Sequence, residues 1–138
     1  GIKLMKVLNI DHIAINVSDL EKTKEFYRDI MGLDECGFIH MGDHTLTYFQ
    51  LTANCRLELI HYLESKQIAH ISETDLNMYR HLCLETNDLE ALFCICKKYQ
   101  IQIRKAPSYV EKLSCKNMLI VDPNGVELEI IEKVMNND

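Results

Sequence analysis

Two stretches of the chain alternate strictly between apolar and other residues, which is the period of a half-buried strand: residues 10–17 and 81–86. In the first, Ile13, Ile15 and Val17 share the face that a helix should cover, and His12, Ala14 and Asn16 share the other. In the second, Leu82 and Leu84 oppose His81, Cys83 and Glu85. A helix start follows each run. Ser18 with Glu21, and Asn87 with Glu90, place a capping side chain three residues before an acid, so that each can satisfy a free backbone N–H. Phe26, Tyr27, Ile30 and Met31 make the apolar stripe of the first helix, which Gly32 ends; Leu92, Phe93, Ile95, Cys96 and Tyr99 make that of the second. Further strand-like runs follow near 35–41, 45–52 and 56–63, and again near 101–106, 116–121 and 126–132, with Asp122-Pro-Asn-Gly125 as a tight turn. Residues 64–79 are polar and without period, and read as the connector.

The two halves are one unit written twice. The segment from His12 to Glu21 aligns without a gap on that from His81 to Glu90, with His seven residues before Asp19 or Asp88 in each. Leu57-Glu58-Leu59-Ile60 and Leu128-Glu129-Ile130-Ile131 then match at nearly the same distance from their His. The pattern predicts an α+β fold of two tandem βαβββ modules, at about 7–63 and 80–133, in one domain over 5–138. The four residues before Met5 are set aside from functional reasoning.

Alternation also fixes faces in the last strand of each module. Leu57 and Leu59 oppose Arg56, Glu58 and Ile60; Leu128 and Ile130 oppose Glu127, Glu129 and Ile131. Both Glu therefore share the polar face with the His of their own module. Sheets covered by helices outside would curl around a cavity lined by two imidazoles and two carboxylates. That set suits one borderline divalent ion (zinc, nickel, cobalt, iron or manganese) with positions left for water or substrate. His40, His44, His61 and His70 lack the symmetry and read as surface residues.

Composition narrows the rest. A net charge of −6 excludes a general phosphate-binding surface, so nucleic acid is not an expected partner. No apolar run reaches the roughly 18 residues that cross a bilayer, and no secretory signal opens the chain, so neither a membrane nor export is expected and the location reads as cytoplasmic. None of the six cysteines forms a CxxC pair, and they read as buried free thiols; Cys94 and Cys96 point to different sides of a helix.

The segments Ile10-Asp-His-Ile-Ala-Ile-Asn-Val-Ser-Asp-Leu, Phe26-Tyr-Arg-Asp-Ile-Met-Gly-Leu, Arg80-His-Leu-Cys-Leu-Glu-Thr-Asn-Asp-Leu-Glu and Asp122-Pro-Asn-Gly-Val-Glu-Leu-Glu resemble the vicinal oxygen chelate superfamily of glyoxalases, bleomycin-resistance proteins and extradiol dioxygenases. The resemblance covers nearly the whole chain. It implies a curled mixed sheet around a metal-binding cavity, a small-molecule substrate and a homodimer. His12, Glu58, His81 and Glu129 are similar to the four-ligand site of glyoxalase I, with Glu129 matching the mobile ligand that acts as the base. The implied activity is a glyoxalase I-like lyase or isomerase that stabilises an enediolate. Extradiol dioxygenases and fosfomycin-thiol transferases generally use two His and one Glu, and bleomycin-resistance members sequester a ligand without metal; methylmalonyl-CoA epimerase also moves a proton beside a carbonyl. Asn16 and Tyr62 stand where glyoxalase I has an Arg and an Asn that contact glutathione, so these two substrate contacts are missing.

Overall fold

The computed structural model describes residues 7–64 and 79–134; most of the connector, and His70, lie outside them. The first module runs β1 (His12–Asn16), α1 (Leu20–Glu25), a π-helical turn (Phe26–Ile30), β2 (Asp34–His40), β3 (His44–Thr52) and β4 (Cys55–Tyr62). The second runs β5 (Leu82–Glu85), α2 (Leu89–Lys98), β6 (Ile103–Val110), a 3-10 turn (Glu111–Leu113), β7 (Cys115–Val121) and β8 (Glu127–Lys133). Each builds a four-stranded sheet, ordered β1-β4-β3-β2 and β5-β8-β7-β6, with the first strand parallel to the last and the others antiparallel. This is the tandem βαβββ architecture.

Several local expectations shift. Both helices are capped one residue later than the capping box implies, by Asp19, which accepts from Lys22 N, and Asp88, which accepts from Ala91 N. A carboxylate next to the helix start is the stronger acceptor, and its charge complements the N-terminal dipole. Ser18 is released to donate its N–H to Asn124 Oδ1 across the modules. The first helix widens into the π turn, closed by Met31 N to Phe26 O, and Gly32 leaves it at φ +72°, where a Cβ would be strained. In α2 the buried positions are Leu89 and Cys96, with Leu92 and Phe93 packed against the core, whereas Ile95 and Tyr99 are exposed. The strand expected near 101–106 begins later and reaches Val110. Cys55, Cys96 and Cys115 are buried free thiols, but Cys36, Cys83 and Cys94 are exposed.

The helix-facing side chains of both modules belong to one hydrophobic core: Val17, Phe26, Tyr27, Ile30, Phe49, Leu57 and Leu59 from the first, and Leu89, Cys96, Met118, Ile120, Leu128 and Ile130 from the second. A polar bolt crosses it. Buried Tyr27 donates its hydroxyl to Asp122 Oδ2 at 2.8 Å, and Asp122 also accepts from Asn124 N and Val126 N at 2.8 Å each. Asn124 Nδ2 reaches Thr23 Oγ1 at 3.1 Å. The expected tight turn thus locks onto the first helix. Because the helix-facing sides share this core, the polar faces of the two sheets are turned away from it.

Candidate metal centre

Parallel pairing sets the first pair. β1 lies beside β4 with Ala14 opposite Glu58 and His12 opposite Arg56, so His12 and Glu58 are diagonal neighbours on the polar face. His12 Nδ1 contacts Asp11 Oδ2 at 2.7 Å, and its Nε2 faces Glu58 Oε2 at 3.8 Å. Tyr48, directly across β3 from Glu58, donates its hydroxyl to the same Oε2 at 2.5 Å. That bond, with some burial, holds the Tyr48 phenol above its usual range. The Arg56 guanidinium stacks 4.1 Å above the Tyr48 ring and stands 3.6 Å from Asp11. Glu58 is 8% exposed, so its carboxylate is fixed inside this arrangement.

The second pair repeats the plan with other partners. Cys83 lies opposite Glu129, and His81 immediately precedes β5. His81 Nδ1 contacts Glu127 Oε2 at 3.0 Å, and its Nε2 faces Glu129 Oε1 at 3.5 Å. Arg104 donates to Glu127 at 3.0 Å, with Arg80 at 3.5 Å. Burial works to raise the Glu127 carboxyl, but the hydrogen bonds from His81 and Arg104 and the charges of both arginines outweigh it and leave it below its ordinary value. Glu129 behaves alike: burial opposes its charge, and hydrogen bonds from Asn117 Nδ2 (3.0 Å) and the Cys83 thiol, with His81 beside it, bring it down. Glu129 is thereby an ionised acceptor at neutral pH. The Cys83 thiol is pushed up to about 12, first by the partial desolvation of its sulfur, although the residue as a whole is exposed, and then by Glu129, which makes it a donor rather than a nucleophile.

In both modules, then, a carboxylate occupies Nδ1 and turns Nε2 toward a strand Glu. This is how proteins orient a metal-ligating imidazole. The gaps of 3.5 and 3.8 Å exceed hydrogen-bond length. Two ligands each 2.0–2.2 Å from a tetrahedral ion stand about 3.4 Å apart, so the donor sets fit a borderline divalent ion between imidazole and carboxylate. Neither Asp11 nor Glu127 was expected to act at the site, although Glu127 carries a visible signal: it shares the polar face with Glu129 two residues on.

The four residues come as two pairs, one on each sheet. Among the described residues of one chain, no three His, Cys, Asp or Glu side chains are disposed to hold one ion. A cavity of about 500 Å³ lies between the modules, lined by Met31, Leu33, Leu51 and Thr52 on one side and by β5 and the start of α2, with Ile130 of β8, on the other. None of the four lines it, but Cys83 and Glu85, two of the expected polar-face residues, do. Of the histidines read as surface residues, His44 contacts Asp43 at 2.6 Å and packs on Tyr62, and His40 accepts from Gly42 N.

The family model of the Glyoxalase/Bleomycin resistance protein/Dioxygenase superfamily matches residues 9–130. The chain belongs to that superfamily. Its members include enzymes such as glyoxalase I and methylmalonyl-CoA epimerase, commonly bind a divalent metal, act on small molecules and often dimerise. This member of the superfamily is 28% identical over 100 residues to the mitochondrial methylmalonyl-CoA epimerase of Mus musculus, covering 70% of the chain and 56% of that protein. The chain thus spans about half the length of the curated relatives it matches. It shares the fold of the trypanothione-dependent glyoxalase I of Leishmania major (TM-score 0.74, 20% identity, 92% of this chain and 88% of that one). It also shares the fold of TnmS3, an antibiotic binding protein from Streptomyces sp. CB03234 (TM-score 0.72, 18% identity, 95% and 100%). No helix among the described residues is long and apolar enough to cross a membrane.

Proposed function

We propose that this chain is a metal-dependent enzyme of the glyoxalase I kind, an isomerase or lyase that moves a proton at the carbon beside a carbonyl. The reading is carried by the duplicated arrangement in which each His has Nδ1 held by a carboxylate and Nε2 aimed at a strand Glu, His12 at Glu58 and His81 at Glu129. A zinc, nickel, cobalt, iron or manganese ion held by these four would supply fixed positive charge against the oxygens of a developing enediolate. Glu129, ionised and the more exposed of the two acids, takes the proton; the C–H electron pair moves to the carbonyl oxygen, and the proton returns to the adjoining carbon. Glu58, locked by Tyr48, contributes charge and geometry.

The complete site is assembled between two copies in this reading. His12 sits on β1 and His81 at the start of β5, each the terminal strand of its own sheet, and the polar faces turn away from the shared core. A partner's second module set against the first would close the four-ligand set. Complementation tests this: a His12→Ala/Glu58→Gln chain mixed with a His81→Ala/Glu129→Gln chain regenerates one intact site per mixed dimer if ligands come from both copies. It regenerates none if they come from one.

A methylmalonyl-CoA epimerase-like reaction, in which the enolate carbon is reprotonated on its opposite face, is favoured over a glutathione conjugate by the relative at 28% identity, and by Asn16 and Tyr62 in place of glutathione contacts. The deciding experiment is metal analysis after purification without a metal-affinity tag, together with deuterium wash-in by NMR against hemithioacetals, acyl-CoA esters and hydroxy-ketones. Glu129→Gln abolishes wash-in while most of the metal remains. Unchanged exchange rejects the base, and a chain that takes up no metal belongs with ligand-sequestering proteins.

A further inference from the structure

Strand β6 is irregular on both sides of one residue. Its register with β7 shifts between Ile103 and Lys105 and again between Lys105 and Ser108. Such bulges re-aim a side chain. Here the Lys105 ammonium turns onto its own sheet, 2.7 Å from Ser108 Oγ, 2.5 Å from Asn117 Oδ1 and 3.3 Å from the Asn117 carbonyl. An ammonium has three donors, and these acceptors engage all of them, so Lys105 holds nothing in reserve for a substrate anion.

Asn117 is 6% exposed and its two ends face opposite chemistry. Oδ1 meets an ammonium that only donates, and Nδ2 meets Glu129 Oε2, which only accepts, at 3.0 Å. One amide orientation satisfies both, and the opposite one offends both. Glu129 in turn divides its oxygens, with Oε1 toward His81 Nε2 and Oε2 toward Asn117. Glu58 does not: the single oxygen Oε2 takes both the Tyr48 hydroxyl and the approach of His12. Among the described residues the relay is therefore found in the second module and not in the first.

We propose that Lys105 and Asn117 are positioning residues for Glu129: the doubly bulged β6 aims Lys105 at Asn117, whose locked amide fixes Glu129 Oε2 and leaves Oε1 to the imidazole side. This rests on the reading of Glu129 as the base, but its test does not depend wholly on it. The first readout is the side-chain amide resonance of Asn117 in ¹H–¹⁵N NMR of the full chain. Lys105→Met and Glu129→Leu each shift that resonance and speed its amide exchange, because each removes one end of the relay. Lys105→Arg, which keeps the charge, restores it in part. The second readout is turnover. A misplacement of about 1 Å costs up to roughly a hundredfold, so Lys105→Met lowers kcat between about tenfold and a hundredfold while KM stays within about twofold. Lys105→Gln repeats both measurements should the Met variant not fold. An Asn117 resonance unmoved in the Lys105 variants overturns the proposal, as does unchanged kcat in a protein whose Glu129→Gln variant is inactive. If the wild-type chain exchanges no substrate proton, the assigned activity fails, and the amide resonance still decides the positioning.

Discussion

The contact between the modules is open to a quantitative test at Tyr27. Replacing it by Phe keeps the ring among Phe26 and Phe49 and deletes only the hydroxyl that donates to Asp122. A hydrogen bond to a charged group contributes about 1.5–3 kcal/mol, and Asp122 Oδ2 would be left with the longer bond from Asn124 Nδ2, at 3.2 Å. Tyr27→Phe should therefore lower unfolding free energy at pH 7 by about 1.5–3 kcal/mol in urea titrations followed by circular dichroism. The same residue supplies a pH signature. Burial first, and then the Asp122 charge and hydrogen bond, hold the Tyr27 phenol well above its model-peptide value of 10.0. Above pH 10 the unfolded chain releases this proton and the folded chain keeps it, so the folded state binds more protons and loses stability by about 1.4 kcal/mol per pH unit. The variant lacks that loss, and the other tyrosines are common to both chains and cancel. The gap between the proteins should close within about one to two units above pH 10. A gap that stays constant to pH 12, or a variant as stable as the wild type at pH 7, refutes the bolt.

Glu127→Gln tests the carboxylate behind His81: with the orienting charge gone, metal affinity measured by chelator competition should fall about tenfold to a hundredfold. The same substitution reads acid stability. The folded Glu127 carboxyl lies below its ordinary 4.5, so its contribution is present above pH 4.5 and is lost as pH falls through the folded value. The acid limb of Glu127→Gln should accordingly be shallower than that of the wild type, in urea titrations between pH 5 and 2.

The carboxylates behind the imidazoles also explain why half of the centre escaped a search for repeats. In the first module the acid at Nδ1 is Asp11, just before the His, and the strand partner opposite is Arg56. In the second the residue before the His is Arg80, and the acid is Glu127 from the strand. The charges are exchanged between equivalent positions, so the carboxylate at Nδ1 is kept and the letters are not. Identity at matched positions finds His12, Glu58, His81 and Glu129; it passes over a pair that swaps places. Tyr48 was expected among the residues of the pocket wall, but Asn117 was hidden for a related reason, since it holds its Glu from a different strand position and with different chemistry.

Strand alternation, helical stripes and the repeat set the module and the order of its elements from the sequence alone, and alternation placed each His and Glu on its face, because a period of two assigns every side chain to one of two sides before any tertiary contact exists. Tertiary structure alone decided how the modules meet. Apolar stripes state that a helix covers a sheet, but not that both stripes join one core and turn the two polar faces away from it. That outcome depends on contacts distant in sequence, such as Tyr27 with Asp122 and Thr23 with Asn124, whose energies no local pattern encodes.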